Sequence, residues 1–137
     1  MNTLDSLFAT DEKLENDGIE MPVGLNSKGD PVSVVIGAFG NPKHEKALTR
    51  HEKFLRATKK SPERRREIMA KVLAEGVLFD WPGMLDSAGK KLKYTPEEGA
   101  KALMKYKSLY MLVLETAADE QNYQREQDEE DAETLKK

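Results

Sequence analysis

Residues 18–36 read GIEMPVGLNSKGDPVSVVI, and this stretch decides the fold class. Apolar residues alternate with other residues through its first eight positions, which is the period-two pattern of a strand with one buried face. Residues 26–31, NSKGDP, are a dense turn signal, and the β-branched run VSVVI follows them. The stretch therefore predicts a β-hairpin over about residues 18–37, with Pro22 placing its first strand at a sheet edge.

Three helical segments follow the hairpin, and each opens with a capping side chain and then a proline. The three starts are Asn41-Pro42, Ser61-Pro62 and Thr95-Pro96. Proline is well tolerated at the first helical position, and apolar residues recur at helical spacing after each start. The pattern predicts helices over about residues 42–58, 62–78 and 96–118. The predicted fold class is α+β, predominantly α.

Beyond Tyr123 the sequence reads QREQDEEDAETLKK, in which only Ala132 and Leu135 are apolar. Such a segment can bury little apolar surface. We therefore expect an acidic, flexible tail over residues 124–137. The remaining residues, 1–123, have the length of one ordinary globular domain.

Composition excludes several classes of function. The chain has 25 acidic and 22 basic residues and a net charge of −3, which is not the balance of a dedicated nucleic-acid binder. It contains no cysteine, so disulfide scaffolds, cysteine zinc sites and cysteine nucleophiles are excluded. No apolar run approaches the roughly 18 residues of a membrane span, and no signal-peptide pattern is present. These features predict a soluble cytoplasmic protein without a membrane partner.

The basic residues are concentrated in the middle of the chain. Residues 43–73 carry eleven bases and four acids, whereas both ends are acidic. The densest cluster, the basic patch, consists of Lys59, Lys60, Arg64, Arg65 and Arg66. It could neutralise phosphates, bind a protein, or pair with other parts of the chain. The acidic ends compete for this patch and few aromatic residues lie within it, which argues against nucleic acid.

The sequence contains no arrangement typical of catalysis. His44 and His51 are the only histidines, and seven helical residues separate them by about 10 Å, too far for one metal ion. Glu97 and Glu98 lie at a predicted helix start, where negative charge is favourable. Neither a Walker loop nor a GxGxxG motif is present. We expect a non-enzymatic protein with no catalytic residue, metal site or cofactor.

Several motifs are similar to those of tail assembly chaperones of long-tailed bacteriophages. In the first half, LFATDEK at residues 7–13 precedes Gly18 and the alternating strand, and Asn41-Pro42-Lys43 opens a helix. In the second half, the matching features are Phe79-Asp80-Trp81, a glycine-containing loop, Leu92, Tyr94-Thr95-Pro96-Glu97-Glu98, and a helix ending near Ala117-Ala118-Asp119. The resemblance covers roughly residues 4–123.

The resemblance implies a role in phage assembly rather than chemistry. Such chaperones bind the long helical tape measure protein, keep it soluble and help to recruit tail tube subunits. They act in the host cytoplasm and are absent from the mature virion. The implied partners are therefore the tape measure protein and the tail tube protein, and self-association is left open.

A chaperone of this kind needs an apolar groove, because a tape measure protein exposes apolar stripes before the tube covers them. Methionines suit such a groove because they adapt to varied surfaces. We expect the groove between the second and third predicted helices. Its predicted walls are Met69, Leu73, Phe79, Trp81, Met104 and Met111.

Two other functions fit the same sequence. One is a structural tail or head–tail connector protein of the virion. The other is a nucleic-acid-associated phage protein that uses the two basic helices. The aromatic residues Phe79, Trp81 and Tyr94 also have two interpretations, since they could either lock a loop onto the helices or form a binding anchor.

Overall fold

The computed structural model describes residues 3–124. The elements are α1 (Leu4–Phe8), α2 (Glu12–Asp17), β1 (Ile19–Leu25), β2 (Pro31–Ile36), α3 (Pro42–Ala57), α4 (Pro62–Gly76), β3 (Leu78–Asp80), α5 (Pro96–Lys105), α6 (Lys107–Ala118) and a 3₁₀ helix (Glu120–Tyr123). This content confirms the predicted fold class, α+β and predominantly helical.

The predicted β-hairpin is confirmed as β1 and β2. The strands pair antiparallel from Ile19 opposite Ile36 onward, with an irregularity in the register just after Pro22. Proline has no N–H to donate to the ladder, so it is tolerated only at such an edge or bulge. β1 is indeed an edge strand, because the sheet order is β1-β2-β3.

The third strand was not evident from the sequence. β3 pairs antiparallel with the free edge of β2, and it begins two residues after α4 ends at Gly76. The predicted second helix, over 62–78, is therefore two residues shorter. Three residues are too few for a period-two pattern, so the segment could not be distinguished from the end of a helix.

The predicted helix over 96–118 is two helices in the structure. α5 ends at Lys105 and α6 begins at Lys107, because Tyr106 has an extended backbone with φ −113° and ψ 101°. Tyr106 is neither glycine nor proline, and apolar residues continue on both sides of it. Periodicity therefore did not reveal the break.

The core lies between the sheet and the helices that follow it. Its buried apolar members are Val34, Ile36, Ala70, Leu73, Ala74, Val77, Leu78, Trp81, Leu103, Val113 and Ala117. α3 packs against α4, and α4 packs against α5. α3 approaches α4 closely at Gly76, where an added Cβ would lie 2.5 Å from the Cα of His44.

Most of the predicted acidic tail, residues 125–137, lies outside the described residues. Gln124, the first residue of that predicted tail, forms an antiparallel bridge with Thr10. Within residues 3–124, none of the helices combines the length and the apolar character that crossing a membrane requires.

Candidate partner-binding groove

Trp81 anchors the loop that follows β3. Its side chain is only 3% exposed, and its indole N–H donates a 2.9 Å hydrogen bond to the carbonyl oxygen of Leu92. The Tyr94 ring meets the indole edge to face at 4.9 Å between centroids. The Tyr94 hydroxyl in turn donates to the carbonyl of Ala74 in α4. The aromatic pair thus ties both ends of the loop to the core.

The loop is also fixed to the hairpin. Gly83 has a φ of +85°, and an added Cβ there would lie 2.2 Å from the carbonyl oxygen of Pro31, so only glycine fits. The carbonyl of Gly83 accepts a 2.9 Å hydrogen bond from the Asn26 side-chain amide. Leu85 and Lys91 pair across the loop. These contacts hold the loop in a fixed position on the hairpin.

An open groove lies between this loop, β1 and the junction of α5 and α6. It encloses about 810 Å³. Its lining is Pro22, Val23, Val34, Trp81, Met84, Leu85, Asp86, Ser87, Leu92, Glu98, Ala102, Tyr106, Ser108, Leu109 and Leu112. Residues on both sides of the break at Tyr106 form one side of the groove. Most lining side chains are apolar, so the groove suits apolar side chains of a partner.

The polar groups of the groove offer little chemistry. The carboxylate of Asp86 accepts hydrogen bonds from the backbone N–H groups of Ala88 and Lys90 and so stabilises its own turn. Glu98 belongs to the first turn of α5, whose amides favour negative charge. Among residues 3–124 no group of three or more histidine and carboxylate side chains is placed to hold a metal ion. The arrangement is therefore suited to binding.

The six residues predicted to form the groove do not come together. Leu73 is fully buried and Trp81 is nearly so, which makes both of them core residues. Trp81 alone of the six lines the groove. The physical reason is that α4 and α5 pack directly against each other. Of the six residues, only Met104 lines the open cleft that remains between these two helices.

The other four predicted residues lie on separate surfaces. Phe79 is half-buried, and the Lys43 ammonium lies 4.6 Å from its ring centroid. Met104 lines an open cleft among the charged side chains of Glu67, Lys71, Lys101 and Lys105. Met69 is half-buried, and Met111 is 40% exposed on α6.

The basic patch is confined to the connection between α3 and α4. Lys59, Lys60, Arg64 and Arg65 are exposed there. Arg66 differs from them because it is partly buried and its guanidinium lies 5.2 Å from the Tyr110 ring centroid. Four of the five predicted residues therefore face solvent, with the Arg65 guanidinium donating a 3.3 Å hydrogen bond to the carbonyl of Leu55, and the fifth packs on α6.

The two histidines have separate structural contacts. His44 is 8% exposed, its Nδ1 accepts a 2.9 Å hydrogen bond from the N–H of Gly40, and burial lowers its pKa. His51 Nε2 lies 2.9 Å from a carboxylate oxygen of Glu75. Both contacts join α3 to its neighbours, as expected for packing residues.

The residues that do form the groove were mostly missed from the sequence. Leu109, Leu112 and Leu85 were not singled out. The available signal was the polar run Lys105, Lys107 and Ser108 around Tyr106 inside an otherwise apolar helix pattern.

Comparison with known proteins places the chain in a phage family. No curated protein and no solved structure matches it. The sequence model of the YdaY prophage protein family matches residues 39–137, from the end of the hairpin through α3 to α6 and beyond. The match covers well over half of the chain. The protein is therefore a bacteriophage protein and belongs to the YdaY prophage protein family.

Proposed function

We propose that this prophage protein is a tail assembly chaperone that holds apolar helical stripes of the tape measure protein in the groove at the α5–α6 junction. The observation that carries the proposal is the groove itself, an open, mostly apolar site of about 810 Å³. The resemblance of the motifs to tail assembly chaperones supplies the identity of the partner.

The shape of the site suits an amphipathic helix. Helices that dock in grooves present apolar anchors at positions i, i+3, i+4 and i+7. Leu85 on the loop and Leu109 and Leu112 on α6 all line the groove. Contacts of Trp81 and Gly83 already fix the loop, so ordering the loop on binding costs little free energy.

The role needs no catalytic step and no cofactor. The protein would act in the host cytoplasm while tails are assembled and would be absent from the mature virion. Recruitment of the tail tube protein belongs to the same proposal and rests on the resemblance alone. Covering apolar stripes of the partner until the tube replaces the chaperone would prevent their aggregation.

The test is co-expression with the tape measure protein of the same phage. We expect the wild-type chain to move that partner into the soluble fraction as a complex. Tyr106→Asp, at a groove residue that is 52% exposed, should abolish the rescue because it places a charge in an apolar site. Phe54→Asp is the matched control, since Phe54 is an aromatic residue 61% exposed on α3, outside the groove.

Three outcomes would contradict the proposal. The partner could stay insoluble at equal expression, or Phe54→Asp could be as harmful as Tyr106→Asp in variants with native circular dichroism. Finding the chain in purified virions would instead support a structural tail or head–tail connector protein.

The exposed basic patch supports the alternative of a nucleic-acid-associated phage protein. A separate variant of the patch tests this alternative. Arg64→Glu with Arg65→Glu should leave the rescue intact if the groove is responsible. Binding to phosphates weakens steeply as salt rises, whereas apolar binding does not. Loss of the complex on this charge reversal or at 0.5 M salt would favour nucleic acid or another polyanion.

A further inference from the structure

The short helix α1 carries an apolar face that is largely exposed in the described part of the chain. Leu4 is 79% exposed, Leu7 49% and Phe8 62%. Their spacing of i, i+3 and i+4 puts them on one side of the helix. α1 has no buried residue. This is the largest concentration of exposed apolar side chains within residues 3–124.

The conformation of α1 is nevertheless specified by the sequence. Thr3 and Ser6 form a reciprocal capping box, in which each side-chain oxygen accepts a 3.1 Å hydrogen bond from the other residue's backbone N–H. A helix of five residues is not stable in water by itself. A capped helix with a bare apolar face is therefore suited to docking on an apolar surface.

Its own groove is at the wrong end of the molecule. The chain after α1 is held by the bridge from Thr10 to Gln124 and by the hydrogen bond from the Asp11 N–H to the carbonyl of Tyr123. Thr10 lies beside Ala117, at the last turn of α6. The groove lies at the first turn of α6, beside Ser108, about 14 Å away along the helix axis.

Charge favours contact between the two surfaces. Residues 3–17 carry five acids and one base. Lysines flank the groove, because Lys105 and Lys107 are exposed on either side of Tyr106 and Lys91 is exposed on the loop opposite. Two carboxylates, Asp86 and Glu98, also line the groove. Backbone N–H groups of its own turn already occupy the Asp86 carboxylate, and Glu98 lies in the first turn of α5, whose amides favour negative charge.

We propose that the groove takes α1 of a second copy of this chain, and that two copies exchange their α1 helices reciprocally. At the exposed fractions given above, the three apolar side chains of one α1 helix together expose on the order of 300–400 Å² to solvent. Two contacts, each covering a helix and the smaller groove surface that faces it, remove about 1,000–1,200 Å² from water, which is the low end for a specific interface. This inference goes beyond the proposed chaperone function and does not depend on it. Both proposals use the same groove, so the exchanged helix would have to leave before a tape measure helix could enter.

Introduced cysteines test the contact directly, because the natural chain contains none. Ala9→Cys places a thiol just after α1 and keeps all three apolar anchors. Ser108→Cys is nearly isosteric and lines the groove. When the two single variants are mixed under mild oxidation, we expect a mixed disulfide dimer joining residue 9 to residue 108. Phe54→Cys replaces Ser108→Cys in the control mixture and should give no mixed dimer with Ala9→Cys.

Three results would overturn the exchange. The first is the absence of the 9–108 dimer. The second is a 9–9 dimer alone, which would show that α1 pairs with α1. The third is a double variant, Ala9→Cys with Ser108→Cys, that cross-links only within a monomer of 15.5 kDa, which would place α1 in its own groove.

Sedimentation gives a second measurement without cysteines. The wild-type chain should show a mass of twice 15.5 kDa at high concentration. Leu7→Asp with Phe8→Asp should raise the dimer dissociation constant at least 10-fold, and Phe54→Asp should leave it unchanged. A wild-type chain that stays monomeric overturns the exchange while leaving the rescue of the tape measure protein to be judged by co-expression.

Discussion

The hydroxyl group of Tyr123 donates a 3.0 Å hydrogen bond to the backbone carbonyl oxygen of Ile36. Tyr123 is 1% exposed and Ile36 is fully buried in the central strand β2. The contact joins the last described helical turn to the middle of the sheet. Tyr123 is therefore the last core residue within the described part of the chain.

Tyr123→Phe should lower the free energy of unfolding by about 0.5–1.5 kcal/mol, because it removes this hydrogen bond and keeps the ring. Tyr123→Ala should cost about 3–5 kcal/mol, since it also leaves a cavity. Urea unfolding followed by circular dichroism measures both. Tyr106→Phe is the control, because Tyr106 is 52% exposed. Equal stability of Tyr123→Phe and the wild type would show that this hydrogen bond makes no net contribution to the free energy of unfolding.

Alkaline pH should destabilise the protein. Burial raises the pKa of Tyr94, with Asp80 and Glu75 adding to it, and burial raises the pKa of Tyr123, with Glu15 adding to it. The fold thus favours the protonated phenols. Their contribution is fully present below about pH 10, the value of an unfolded tyrosine, and is lost as the pH rises toward the folded values.

Thermal unfolding between pH 8 and 11.5 checks this dependence. The midpoint should fall above about pH 10, and the fall should be shallower in Tyr94→Phe with Tyr123→Phe, which cannot ionise at these positions. An identical pH profile in the double variant would assign the alkaline effect to other groups.

Gly83→Ala should be among the most harmful single substitutions. The added Cβ would lie 2.2 Å from the carbonyl oxygen of Pro31 at a φ of +85°, so the loop must shift and its bond to Asn26 must weaken. Gly89→Ala is the matched control, because Gly89 has a φ of +78° and open space around its Cβ position. Gly89→Ala should lower the free energy of unfolding by only about 1–2 kcal/mol, through backbone strain. A Gly83→Ala variant that is at least as stable as Gly89→Ala would contradict the clash.

The sequence was a good guide where local chemistry decides the structure. The alternation around Pro22 and the following turn residues predict the hairpin, and Asn41 and Thr95 each cap the helix predicted to follow them. These features depend on side-chain periodicity and on hydrogen bonds within a few residues. They do not depend on how distant segments meet.

The groove could not be predicted in the same way, because periodicity identifies apolar residues but not which of them stay uncovered. Leu73 and Leu109 are both apolar residues of helices, yet Leu73 is buried on α4, which packs against α5, and Leu109 lines the opening beside Tyr106. No glycine or proline marks the break at Tyr106 in the sequence. The position of the groove is therefore a tertiary property.

Trp81→Ala should lower the free energy of unfolding by about 3–5 kcal/mol, because the ring is buried and the carbonyl of Leu92 loses its donor. Trp81 is the only tryptophan in the chain, so its fluorescence reports unfolding of the wild type and circular dichroism serves for the variant. Full stability combined with loss of binding would make Trp81 a surface anchor instead of a core residue.

Removal of residues 125–137 should leave the thermal midpoint within a few degrees of the wild type. This segment lies outside the described residues, and its only apolar side chains are Ala132 and Leu135, so it has little apolar surface to bury. A chain ending at Asn122 is the matched comparison. It loses Tyr123 and with it both the buried ring and the hydrogen bond to Ile36, so its midpoint should fall by more than 10 °C, given about 3–5 kcal/mol and a domain of this size. A large drop already at the first truncation would show that the acidic segment docks on the fold, with Lys59, Lys60, Arg64 and Arg65 as the first site to examine.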